Sequence, residues 1–313
     1  MAQAQHPAPA HDHAHAAHGA HAHHPDGNKY YIPHGSPWPI FASVALFTVM
    51  LGAAAYLNDW TGAWSFIPGP LLIVAMFIGW FSTVIGENQQ GIYNLQVDKS
   101  FRMGMMWFIF SEVMFFAAFF GALFYARMLA VPWLGGQGVK FFTHFILWPG
   151  YEGVWPTNGP AHVGGSANGT FEVIPPFSLP AVNTLILLTS GATVTVAHHA
   201  LRQGKRSLLI VFLALTFLLG FSFVALQAHE YGEAYRELGL RLSTGIYGST
   251  FFMLTGFHGL HVTIGAIMLV TIWLRVLRGH FTPQRHFAFE AVAWYWHFVV
   301  VVWLGLFIFV YWL

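Results

Sequence analysis

Cysteine is absent from the 313-residue sequence. That excludes disulfides, thiolate nucleophiles, iron–sulfur clusters and cysteine-ligated zinc or copper, and it removes any clue to redox compartment. Charge is scarce as well. Asp, Glu, Lys and Arg make up 8% of the chain, against about 25% in ordinary soluble proteins. The formal net charge of +1 leaves no nucleic-acid footprint. No Gly-x-Ser-x-Gly nucleophile elbow occurs. Neither His-Glu-x-x-His nor a Glu-x-x-His pair occurs, so the zinc-protease and di-iron helix signatures are missing.

Apolar residues fill the space that charge leaves: 56% are hydrophobic, with 31 Phe and 13 Trp. A soluble domain of this make-up would present large apolar patches to water and aggregate, so the composition implies an all-α polytopic membrane protein. A bilayer core needs about 20 mostly apolar residues per helix. Seven stretches meet that length, at 38–57, 70–88, 102–129, 179–201, 207–229, 245–274 and 289–313. The first 28 residues differ. They hold eight His among Ala and Pro and no Lys or Arg before Lys29. With no apolar stretch to serve as a secretory signal, and too little apolar surface to bury, this segment is expected to be a disordered tail able to bind divalent metal loosely. A Gly-, Pro- and aromatic-rich connection over 130–178 is expected to form a structured cap, closed by Pro175-Pro176 before the fourth span.

Basic residues set the direction of insertion. Seven spans put Lys29, Lys99, Arg102, Arg202, Lys205, Arg206, Arg275, Arg278 and Arg285 on the N-terminal side. Lys140, Arg127, Arg236 and Arg241 fall on the other, nine against four. Asp59, Glu152, Glu172, Glu230, Glu233 and Glu237 gather on that second side. Six or eight spans would scramble this segregation. The expectation is a multi-pass protein of a bacterial inner membrane, N-terminus cytoplasmic and C-terminus periplasmic.

Ionisable groups at membrane depth cost roughly 3 kcal/mol each on insertion scales and need a reason to be there. Glu87, Glu112 and Glu290 qualify, with His198, His199, His258, His261 and His297. On helical spacing, Trp80, Thr83 and Glu87 share a face, as do His258, His261 and Gly265, and Glu290, Trp294 and His297. Gly256, Gly259 and Gly265 would admit a neighbouring helix. The simplest reading of Glu112, His258, His261, Glu290 and His297 is a set of structural Glu–His contacts between helices. A proton relay is the functional alternative, and metal or bis-His haem ligation the weaker one. Glu87 lies near the cytoplasmic end of its span, where apolar surroundings would favour the protonated carboxyl and let it donate protons. An interfacial Glu snorkelling to water is the plain alternative. Arg275, Arg278 and His280 cluster at the cytoplasmic mouth of the sixth helix, where they suit either anionic lipid headgroups or simple positive-inside topology.

Several motifs resemble subunit III of the haem–copper cytochrome c oxidases. They are Ser36-Pro37-Trp38-Pro39, Trp80 through Glu87, Ser111-Glu112-Val113-Met114-Phe115-Phe116, Gly256-Phe257-His258-Gly259-Leu260-His261-Val262, and His286-Phe287-Ala288-Phe289-Glu290 running on to Trp294-Tyr295-Trp296-His297-Phe298. Each is modestly specific alone, but together and in order they cover nearly everything after the tail. The resemblance implies a two-helix and a five-helix group around a lipid cleft. It implies bound phospholipid, and a complex with oxidase subunits I and II, which hold the haems and copper. It also implies cytochrome c as donor to the complex, possible membership of a respiratory supercomplex, and no metal, redox centre or catalytic residue in this chain. The implied roles are support of proton uptake, lipid retention and protection of the catalytic subunit. Glu87 falls on the family's second-helix carboxylate, and Arg275 and His280 on positions that contact headgroups. Ser82, Thr83 and Gly86 replace the family's usual polar residues, and Val300 stands where the family has Asp. A quinol-oxidase subunit, a stand-alone ion transporter and a membrane metalloenzyme are the other classes the residues allow.

Overall fold

The computed structural model describes residues 35–166 and 169–313, so the His-rich tail lies outside the described residues. Those residues form helices α1 (Trp38–Leu57), α2 (Pro68–Gln89), α3 (Leu95–Tyr125), α4 (Val131–Leu134), α5 (Phe141–Leu147), α6 (Leu179–Arg202), α7 (Arg206–Arg236), α8 (Gly245–Leu277) and α9 (Phe287–Leu306). No strand occurs among them. Seven helical segments are long and apolar enough to cross a bilayer: α1, α2, α3 with its continuation to Leu134, α6, α7, α8, and α9 with a π-helical end to Trp312. Their outward faces are apolar, with Phe47 67% and Trp107 65% exposed. Water would not tolerate that surface, whereas hydrocarbon does. The chain is therefore a multi-pass helical membrane protein.

Proline opens several of these helices. Pro39, Pro68 and Pro180 occupy first-turn positions of α1, α2 and α6, where the missing N–H would have had no helical partner. The end of α7 lies beyond the expected boundary, the helix running through Glu230 and Glu233 to Arg236. Glu230 is thus no loop charge. It is buried, accepting hydrogen bonds from the Tyr311 hydroxyl at 2.6 Å and Gln227 Nε2 at 3.0 Å. These two donors let the helix continue past a carboxylate.

The chain divides into two units, one ending at Val97 and one running from Asp98 to Leu313. The first is an α1–α2 hairpin whose helices approach closely. A Cβ on Gly79 would lie 2.1 Å from the Trp38 ring, so only glycine admits that indole. Trp38 Nε1 donates to Thr83 Oγ1 at 3.2 Å. Ser65, on the turn between the helices, donates to the Gly52 carbonyl at 3.0 Å.

The second unit holds the core, built from α6, α7, α8 and α9 around the fully buried Trp296 and Trp303. A Cβ on Gly220 or Gly265 would come within 2.6 or 2.9 Å of Trp296. Both indole N–H groups are satisfied, Trp296 on Ser190 Oγ at 3.0 Å and Trp303 on Thr184 Oγ1 at 2.9 Å. Of the three glycines expected to admit a neighbour on α8, Gly265 does so; Gly259 faces open space and Gly256 meets only the Tyr231 hydroxyl. α3 meets α8 and α9 through aromatic side chains, Phe115 against Phe257 and Phe108 against Tyr295. The 135–178 connection packs on the start of α8: Trp155 and Phe171 lie against Tyr247, and the Tyr247 N–H donates to the Thr157 carbonyl at 3.3 Å.

Candidate functional site

The intramembrane polar residues fall into distinct settings. Glu87 sits in the last turn of α2, half-buried. Its Oε2 accepts a hydrogen bond from the Tyr93 hydroxyl at 2.5 Å. The partner is a neutral phenol just beyond the helix end, where the chain has turned back at Gly91.

Glu112 on α3 and His261 on α8 meet directly, with Oε2 2.8 Å from Nε2. The other ring nitrogen, Nδ1, lies 2.6 Å from the Phe257 carbonyl. A carbonyl only accepts, so Nδ1 carries a hydrogen. A neutral ring then leaves a lone pair on Nε2, and a contact with a carboxyl oxygen requires one shared proton. The pair as a whole is electrically neutral, which is how a carboxyl and an imidazole lie at low cost between apolar helices.

His258 does not share this partner, although helical spacing puts it on the same face as His261. It is 1% exposed. Its Nε2 lies 3.1 Å from the Val299 carbonyl of α9, and its ring packs between Phe223 and Trp303. That is a core position. His297 is exposed on α9, and its Nε2 lies 3.3 Å from Thr195 Oγ1 of α6.

Glu290, in the first turn of α9, is the centre of a larger cluster. One carboxyl oxygen is held by the Arg102 guanidinium of α3, which Asp98 also engages at 2.8 Å. The other oxygen lies 3.0 Å from His286 Nε2 and 3.8 Å from His198 Nε2. Sequence spacing missed this group because its members come from α3, α6 and the approach to α9. The only local trace is His286 and Glu290 at i, i+4, which differs in both order and spacing from the Glu-x-x-His pattern sought along single helices. A second omission is Glu230, bonded to Gln227 and Tyr311. Its other oxygen is buried without a partner.

At the end of α8 the Arg275 side chain is buried, its guanidinium 4.6 Å from the Phe281 ring centre. Its Nε is buried without a hydrogen-bond partner. Arg278 is exposed beside it. Partial burial, reinforced by Arg275 and Arg278, pushes His280 below the ordinary imidazole value. A cavity of about 230 Å³ opens nearby, lined by Leu201, Arg206, Val276 and Phe281 among others. Arg206 closes one side by donating to the Leu277 carbonyl at 2.8 Å.

Fold and polar contacts define an integral membrane protein whose intramembrane ionisable groups meet one another, backbone carbonyls or hydroxyls. Comparison with known proteins narrows the class. The family described as cytochrome c oxidase subunit III matches residues 28–149 and 154–313. Proteins named cytochrome c oxidase subunit 3 from Danio rerio and Squalus acanthias are each 41% identical, over 299 and 297 residues. That from Carassius auratus is 40% identical over 296. Each alignment covers 95% of this chain and 98% of the relative. The chain belongs to the cytochrome c oxidase subunit III family.

Proposed function

We propose that the chain is a non-catalytic integral subunit of an aerobic terminal oxidase, assembled with oxidase subunits I and II, whose haems and copper reduce oxygen with electrons from cytochrome c. The family match across nearly the whole length carries this reading. The local chemistry supports it. The Glu112–His261 pair braces α3 against α8, and His258 is spent in packing between Phe223 and Trp303. Nine of 13 basic residues on the N-terminal side support an N-terminus on the inner face of a respiratory membrane.

Two finer roles follow. Glu87, at the same end of its span as Lys99 and Arg102, serves proton uptake into the catalytic subunit. Tyr93 holds the carboxyl in place without adding a charge. Arg275, Arg278 and His280 hold a phospholipid headgroup at the mouth of the cavity beside α8. A buried guanidinium with an unpartnered Nε suits an anionic phosphate oxygen, and the apolar lining suits acyl chain. Extraction in mild detergent through an affinity tag on this chain tests the assignment. Haem-bearing polypeptides should remain attached in fixed ratio. Recovery of the chain without them, from membranes that respire normally, would refute it.

A further inference from the structure

Three side chains in the Asp98–Leu313 unit converge in a way that neither helix bracing nor proton uptake explains. His198 comes from the last turns of α6, and His286 and Glu290 from the start of α9. One donor atom from each lies within 4.8 Å of the other two. All three residues are half-buried.

The hydrogen-bond arithmetic is informative. His286 Nδ1 lies 3.2 Å from the Thr282 carbonyl, which can only accept, so Nδ1 carries the hydrogen. Nε2 then presents a lone pair to Glu290 Oε1 at 3.0 Å. Two acceptors at that distance require a cation between them, either a proton or a metal ion. His198 Nε2 faces the same oxygen and is buried without a hydrogen-bond partner. A third ligating atom therefore points at the spot with nothing else to do.

The surroundings resemble the outer shell of a metal centre. Ligating histidines commonly donate their second ring nitrogen to a backbone carbonyl, which fixes tautomer and ring orientation. His286 does this through Thr282. Arg102 occupies the other carboxyl oxygen of Glu290, leaving Oε1 to the cluster. Asp98 offsets the Arg102 charge, so the Glu290 charge remains available to a cation. The α6 C-terminus, with its partial negative charge, lies at the same place.

We infer that His198, His286 and Glu290 form a binding site for a borderline divalent transition-metal ion, zinc being the best match. Two imidazoles and one carboxylate suit zinc, whereas calcium and magnesium prefer all-oxygen sets and cuprous copper prefers sulfur. Three protein ligands leave a fourth position for water. The bound ion clamps the end of α6 to the start of α9, where the His198 ring packs against the His286 and Phe289 rings.

The test is zinc binding by the full-length chain purified with its attached polypeptides, stripped with a chelator and titrated with Zn²⁺ under chelator competition. His198→Ala removes a ligand without breaking a hydrogen bond, so the fold should persist; Glu290→Gln is the second variant and His297→Ala the control. The His-rich tail is common to all, so its zinc cancels. Wild type and His297→Ala should hold one more tight zinc than His198→Ala and Glu290→Gln. Loss of an outer-shell partner alone costs about 10–100-fold in affinity, so loss of a ligand should weaken this site at least tenfold. Equal stoichiometry and affinity in wild type and His198→Ala would overturn the site. So would the absence of anomalous scattering between these three residues in zinc-saturated wild-type crystals measured at the zinc edge, a result independent of how any variant folds.

Discussion

Glu87 and Glu112 are both carboxyls in apolar helices, yet the fold treats them differently. Glu112 is matched to His261, and the shared proton makes the pair neutral. Glu87 has a tyrosine hydroxyl, which orders the carboxyl but supplies no charge. Glu87→Gln keeps an acceptor for Tyr93, so its effect on stability should stay below about 1.5 kcal/mol. Proton uptake by the assembled oxidase should slow, or inactivation during turnover quicken, at unchanged haem content. Unaltered turnover, pumping and inactivation would make Glu87 a structural residue only. Arg275→Ala removes the buried cation and its contact with Phe281. A basic residue near an anionic lipid surface is worth about 1 kcal/mol, so retained phospholipid should bind roughly fivefold less tightly, measured by mass spectrometry of the purified protein. Arg278→Ala, on an exposed side chain, should do less. His280, pushed below the usual imidazole value, is neutral at neutral pH. Its charge, and any added hold on phosphate, would appear only on acidification below the ordinary imidazole value.

Packing at the level of helices depends on where glycine faces. Gly265 and Gly220 make the seat for Trp296, while Gly259 borders open space on the same helix as Gly265. Gly265→Leu should therefore cost about 1–3 kcal/mol through overpacking against the indole. Gly259→Leu should leave the thermal midpoint of the detergent-solubilised protein close to wild type. Similar losses from both would contradict the helix facing described. Spacing alone could not say which of these glycines meets an indole, because the partner Trp296 lies on another helix. The spans themselves were legible, since twenty apolar residues in a bilayer leave few alternatives to a helix. Pro175-Pro176 marked the stop before the fourth span. The end of α7 was not legible: Glu230 reads as a loop charge until Tyr311, distant in sequence, supplies the hydrogen bond that keeps it inside. The Glu112–His261 contact was foreseeable as a kind of pairing, but the partners were not. The His198–His286–Glu290 cluster was invisible because no single helix carries its ligands in a familiar order.

For the whole molecule, the membership of the cytochrome c oxidase subunit III family and the disposition of polar groups point the same way. Most intramembrane carboxylates and imidazoles face each other, backbone carbonyls or hydroxyls, and so brace the helices. The oxygen chemistry is assigned to partner polypeptides. The most direct measurement is the reduced-minus-oxidised visible spectrum of the tagged protein, recorded with oxygen consumption before and after the attached polypeptides are dissociated. The account expects haem bands and oxygen uptake in the intact assembly, and neither in the separated chain. Haem bands or oxygen uptake that remained with the separated chain would contradict it.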